Sequence, residues 1–161
     1  MKALSQPSKG TLTKGDAMRH IVSILSAVML VTGLTGCSYL FYPRASDFAE
    51  KGKGASGVET LVNLTTMMEA SAKASNGGKG YDQPLNDLHN QFHAFDNSLC
   101  CLDKAQREQP AYALAVTHNN ELWAIFKRLW KFKDDQPQRD QHLDLFATEV
   151  RELRETLQTI K

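Results

Sequence analysis

Two uninterrupted heptad seams constrain this chain more than any other feature. Leu85, Leu88, Phe92, Phe95, Leu99 and Leu102 follow one another at steps of 3, 4, 3, 4 and 3, and Leu143, Phe146, Val150, Leu153, Leu157 and Ile160 repeat the same steps. Apolar residues at that spacing share one stripe of an α-helix, and such a stripe has to be buried against other helices. Two more segments carry helical signals. Val58, Leu61, Val62, Thr65, Met68 and Ala72 lie on one face, behind a capping box at Ser56-Gly57-Val58-Glu59 and ahead of the stop Asn76-Gly77-Gly78 and Gly80. Pro110 opens the other, where its missing amide donor costs nothing. Its stripe is wide: Ala115, Val116, Leu122, Trp123, Ile125, Phe126, Leu129, Trp130 and Phe132, ending before Asp134-Asp135-Gln136-Pro137. No segment alternates convincingly with period two, and short connections imply antiparallel neighbours. The pattern predicts an all-α domain over residues 57–161, an up-down-up-down four-helix bundle. The alternative is a three-helix bundle with a loosely docked first helix.

The start of the chain follows different rules. Arg19 precedes an apolar run over residues 21–33, and the run closes on Leu34-Thr35-Gly36-Cys37. A basic flank, a short apolar segment and a small-residue cleavage site mark a secretory signal. A spanning helix needs roughly 20 apolar residues, and Ser23, Ser26, Thr32 and Gly33 interrupt this one. Leu34-Thr35-Gly36-Cys37 resembles the lipobox of bacterial lipoproteins. The resemblance implies cleavage before Cys37, a diacylglycerol on its thiol and a fatty acyl chain on the new amino terminus. Ser38 resembles the residue of the outer-membrane class, so the expected location is the bacterial envelope, facing the periplasm, at the outer membrane rather than the inner.

Residues 1–36 are then a signal peptide, with Met18 the better start, and residues 37–56 are the lipidated cysteine and a tether. Tyr39, Leu40, Phe41, Tyr42 and Phe48 make that tether unusually aromatic; they suit either the bilayer interface or a segment folded onto the domain. Cleavage leaves 125 residues with 15 of the 19 basic and 17 of the 18 acidic side chains. A balance so close to neutral gives no reason to expect nucleic acid as a partner.

His89, His93, Asp96 and Cys100 step 4, 3 and 4 along the second helix and share one stripe beside its seam. Two histidines at i and i+4 can chelate one ion, and the mixed set suits Zn, Ni or Cu. Four ligands on one straight helix are too spread for a single ion, so two or three of them plus residues of another helix is the realistic version. In an oxidising envelope Cys100 and Cys101 also need an account. Within a helix Cys100 lies beside the seam and Cys101 points outward, which allows an intermolecular disulfide through Cys101. On the third helix Trp123 and Trp130 could meet a partner or an anionic membrane surface, with Lys127, Arg128 and Lys131 on the opposite side. Glu149, Glu152 and Glu155, among Arg151 and Arg154, read as a solvated face with local ion pairs.

There is no Glu-x-x-His, Cys-x-x-Cys-His, Walker loop or Gly-x-Ser-x-Gly, and no catalytic residues are expected. The expected function is that of a lipid-anchored binding, accessory or scaffold subunit of an envelope assembly, with a protein partner and with homodimerisation as an option. The alternative is a periplasmic metal-binding or metal-sensing domain.

Overall fold

Six helices follow one another in the computed structural model, which describes residues 42–161; the apolar run and Cys37 lie outside the described residues. They are α1 (Ala45–Lys51), α2 (Gly57–Ser75), α3 (Asp82–Leu99), α4 (Lys104–Arg107), α5 (Pro110–Lys131) and α6 (Gln136–Leu157). The four long ones pack antiparallel in pairs as a helical bundle. Backbones approach closely between α2 and α3, between α2 and α6, and between α5 and α6. The direction is legible in the side chains: Arg154 reaches Glu69 while Asp144 meets Asn76, so α2 and α6 run oppositely.

Both heptad seams are core. All twelve of their residues are buried, and Leu88, Phe92, Phe95, Phe146, Val150, Leu153 and Leu157 have no exposed surface. The α3 helix stops at Leu99, earlier than its seam, yet Leu102 stays buried in the turn that follows. On α2 the buried face is Leu61, Leu64, Thr65, Met68, Ala72 and Ser75, while Val58 and Val62 sit at its edge. Because α2 packs on both α3 and α6, it is not a loosely docked element. The Ser56 hydroxyl caps it by accepting from the Glu59 amide at 3.1 Å; Glu59 in return accepts from the Ala55 amide, one residue earlier than a standard box. The α2–α3 turn needs φ of 87° at Gly77 and 83° at Gly80, the left-handed region that glycine enters without strain.

The wall between α3 and α5 is built differently. Their backbones stand further apart than the other neighbours, and rings fill the space. Phe92 lies 4.7 Å from Trp123 and 5.7 Å from Phe126, centroid to centroid, and both phenylalanines meet Phe146 of α6. Trp130 stacks on Phe126 at 5.7 Å. The wide stripe on α5 thus serves two neighbours: Phe126 meets Phe146 of α6, while Trp123, Phe126 and Trp130 face α3.

The main departure from the expected organisation is α1. It lies inside the stretch read as a tether, and the folded unit begins at Tyr42 rather than at residue 57. Phe48 is 4% exposed. The chain presses so closely on α2 after α1 that a Cβ at Gly52 would sit 2.9 Å from Leu64 Cγ, and the Asn63 amide donates to the Gly52 carbonyl at 3.1 Å. On the α3 side, small residues such as Ala94 let Ala45 and Ala49 come near. A seven-residue helix with a single large apolar side chain depends on that side chain. Phe48→Ala should therefore release α1, removing about 3 kcal/mol of local docking. Trypsin cleavage after Lys51 or Lys53 should speed up by more than about tenfold, with the bundle itself still folded by circular dichroism. Equal cleavage rates in the two proteins would show that Phe48 does not hold the segment.

Candidate functional site

The stripe of four candidate ligands on α3 is divided by what α5 places opposite it. His89 and His93, one turn apart, bring their Nε2 atoms to 2.9 Å. One ring must donate and the other accept, so the pair is held in complementary tautomers. His89 stacks on Phe126 at 5.3 Å and touches Trp130 at 5.0 Å, while His93 meets the Trp123 edge at 5.3 Å. Burial, followed by the charge of His93, pushes the His89 imidazole below its ordinary value of 6.5.

Asp96 is not with them. It accepts from Asn119 Nδ2 of α5 at 2.7 Å and from the Trp123 indole at 3.5 Å. Its role is to satisfy a buried amide: Asn119 is 6% exposed. Cys100 stands at the end of α3, exposed, with its thiol donating to the Asn97 carbonyl at 3.2 Å. The structure therefore pairs the histidines and sends the other two members of the stripe elsewhere.

Cys100 and Cys101 correct a second expectation. Because α3 ends at Leu99, neither is inside a helix, and the two thiols do not diverge. Their sulfurs lie 3.8 Å apart and both face the Asn97 carbonyl. Both are exposed and free, and Cys100 beside it holds the Cys101 thiol above its ordinary range. A thiol kept protonated is a slow nucleophile. Trp123 and Trp130 are half-buried against α3 rather than presented outward, whereas Lys127, Arg128 and Lys131 are exposed. The outward face of the last turns of α5 is therefore a cationic ridge without an aromatic anchor.

The charged face expected on α6 proves to be divided too. Arg154 crosses to Glu69 of α2 at 2.7 Å, and Glu69 also takes Lys73 at 2.6 Å. Glu149 turns the other way, to His118 Nδ1 of α5 at 2.6 Å, with the two side chains only 13% and 14% exposed. His118, Glu149 and Glu152 bring one ligand atom each to within 4.8 Å of one another, and among the described residues they are the one set of three or more histidine, cysteine or acidic side chains that does so. Burial raises the Glu149 carboxyl above its ordinary value of 4.5; the His118 contact lowers it, and Glu121 beside it raises it again. Sequence reading missed this group. Its only signal is i, i+3 spacing, His118 with Glu121 and Glu149 with Glu152, on two helices whose register no local pattern reveals.

No family model, curated protein or solved structure matches this chain, so its chemistry has to be read from these residues.

Two measurements test the α3–α5 wall. Asp96→Ala leaves the Asn119 amide and the Trp123 indole without their acceptor and should cost about 1–3 kcal/mol in denaturant unfolding, with Asp96→Asn recovering part of it. The second is a pH profile. A histidine whose folded pKa is depressed contributes no penalty while both states are neutral; as the pH falls through about 6.5 the unfolded chain takes up a proton that the folded ring resists, so stability declines. His89→Gln should flatten that decline between about pH 7 and about pH 5, and a slope identical to wild type would remove His89 as its source.

Proposed function

We propose that this chain is a lipid-anchored envelope protein, held at Cys37, whose helices form an up-down-up-down four-helix bundle that serves as a binding or scaffold subunit of a membrane-associated assembly. The address comes from the lipobox-like Leu34-Thr35-Gly36-Cys37 behind its apolar run. The observation that carries the reading is the docking of α1. With α1 in the folded unit, only residues 38–44 separate Cys37 from the first helix. Seven residues span at most about 25 Å even when fully extended. A nineteen-residue tether over residues 38–56 would reach more than twice as far, so α1 changes a loose leash into a short one that keeps the bundle at the bilayer surface.

A binding role is favoured by how the polar groups are spent. Asp96, Asn119 and the histidine pair close the α3–α5 wall, and Glu69 with Arg154 joins α2 to α6. The last turns of α5 leave Lys127, Arg128 and Lys131 outward, a surface suited to an acidic protein partner. Exposed charges of that kind set encounter rate and partner choice more than affinity.

The test has two readouts. Cells expressing the full chain should incorporate labelled palmitate into the protein, and Cys37→Ala should abolish both the label and membrane retention. A photo-crosslinker at position 127 or 131 should then capture a discrete heterologous protein, and Lys127→Glu with Lys131→Glu should lose that product. Label that persists in Cys37→Ala ends the anchor; crosslinks only to other copies of this chain end the scaffold reading.

A further inference from the structure

We propose that His118, Glu149 and Glu152, with Glu121 alongside, form a divalent-cation site between α5 and α6, of the kind that takes Zn²⁺.

Negative charge is concentrated here without a cationic partner from lysine or arginine among the described residues. Three carboxylates gather on two facing helices. Their one close cationic or neutral partner is His118. Arg154, which lies on the same helix as Glu149 and Glu152, is taken up by Glu69 on the far side. Glu149 is nearly buried, so its charge is poorly screened and is costly without a counter-charge.

Geometry makes the same point. Ligand atoms bound tetrahedrally to one Zn²⁺ at about 2.0–2.2 Å lie about 3.3–3.6 Å from each other. Here His118 Nδ1 and Glu149 Oε1 are 2.6 Å apart, a hydrogen-bond distance, and the whole set spans no more than 4.8 Å. Opening the first pair and drawing in the rest of the set, each by about 1 Å, is a side-chain rearrangement that would complete the site. An imidazole with carboxylates selects a borderline ion such as Zn²⁺ over a thiophilic one. On binding, the ion replaces the proton that His118 and Glu149 share, and that proton leaves to solvent. Glu152 stands exposed at the rim, next to a groove lined by Ala111, Leu114 and Thr156, so the remaining coordination positions are open to water. The site is distinct from His89 and His93, whose nitrogens are turned to each other beneath Phe126 and Trp130.

The test uses the full-length protein in detergent, with Zn²⁺ followed by calorimetry and Co²⁺ by visible absorption. Wild type should bind one equivalent of Zn²⁺ with micromolar affinity and show a Co²⁺ spectrum free of a sulfur-to-cobalt charge-transfer band. His118→Ala and Glu149→Gln should each weaken binding by more than about tenfold. Glu152→Gln, at an exposed position where folding is not at stake, should weaken it as well. A His89→Ala/His93→Ala variant should bind like wild type. The proposal is overturned by any of three results: no saturable binding in wild type, a Glu152→Gln variant with unchanged affinity, or binding that follows His89 and His93 or shows thiolate ligation.

Discussion

Phe92 and Phe126 meet at a centroid distance of 5.7 Å, and each also meets Phe146. That three-ring contact joins α3, α5 and α6 in the middle of the bundle. Ring side chains hold helix axes further apart than leucine does, because interaxial distance follows the size of the residues at the contact. The consequence is the wider wall between α3 and α5. A wider wall needs more side-chain volume to fill it, which is why Trp123 and Trp130 are drawn inward and the apolar stripe of α5 is broader than a heptad seam requires. It also admits polar groups. His89, His93, Asp96 and Asn119 enter where leucines would otherwise close the gap, and each must find its partner inside the wall because water reaches it only partly. The hydrogen bonds between the two histidines and between Asp96 and Asn119 follow from that requirement.

The elements that were legible in the sequence are those whose signal is carried by many residues of one helix. The seams of α3 and α6 each run for five steps, and a pattern of that length has few alternatives. The helix α1 fails the same criterion. Seven residues make fewer than two turns, and one buried phenylalanine among Ala, Ser, Asp, Glu and Lys cannot define a face. Its docking depends on Ala94 and Leu64, forty-six and sixteen residues beyond Phe48, and on the absence of a side chain at Gly52. The fate of the polar stripe was illegible for a related reason. Spacing places His89, His93, Asp96 and Cys100 on one line, but α5 decides what each meets: rings above the histidines, an amide opposite Asp96. Cys100 leaves the line altogether because α3 ends one residue before it. His118 and Glu149 are the reverse case, two residues 31 positions apart that only the register of α5 on α6 brings together.

The charges that cross between helices do unequal work. Lys73 and Arg154 both approach Glu69, and Glu69 accordingly holds its carboxyl below the ordinary value. The exposed Lys73 contributes little, whereas Arg154 and Glu69 are only 22% and 12% exposed, and the shared acceptor restrains two helices at once. Arg139 is another matter. It is 2% exposed, with its guanidinium 3.9 Å from the Tyr81 ring, and donates to Asp140 at 3.3 Å and to the Lys133 carbonyl at 3.2 Å. It locks the α5–α6 turn against the start of α3. Against these stands Glu149. A carboxyl whose folded pKa is raised contributes stability at low pH and loses it as the pH rises through that value. Wherever it is ionised, Glu149 is thus a local cost, opposite in sign to the acid-side cost of His89. A fold that keeps such a group nearly buried gains most when something cationic joins it.

Orientation relative to a membrane follows from which end of the bundle α1 occupies. Ala45, Ser46 and Ala49 lie near Asn97, Ser98 and Cys101, at the C-terminal end of α3. Antiparallel packing puts the start of α5 and the end of α6 at the same end, where Gln109 and Lys161 exchange two hydrogen bonds. The lipid proposed on Cys37, with a leash of at most about 25 Å, would draw this end toward a bilayer. Along α5, Lys131 lies twenty-one residues beyond Pro110, and at 1.5 Å per residue that is about 31 Å toward the opposite end. Under the proposed anchor, the cationic ridge of Lys127, Arg128 and Lys131 would be carried away from the lipid. Attraction between exposed charges fades within about 8 Å at physiological salt, so the ridge would be badly placed to serve that membrane and better placed to meet the protein partner proposed above. The same reasoning sets His118 and Glu149 nearer the anchored end, so that a cation bound there and a partner bound at the ridge would occupy different levels of the bundle, joined by α5.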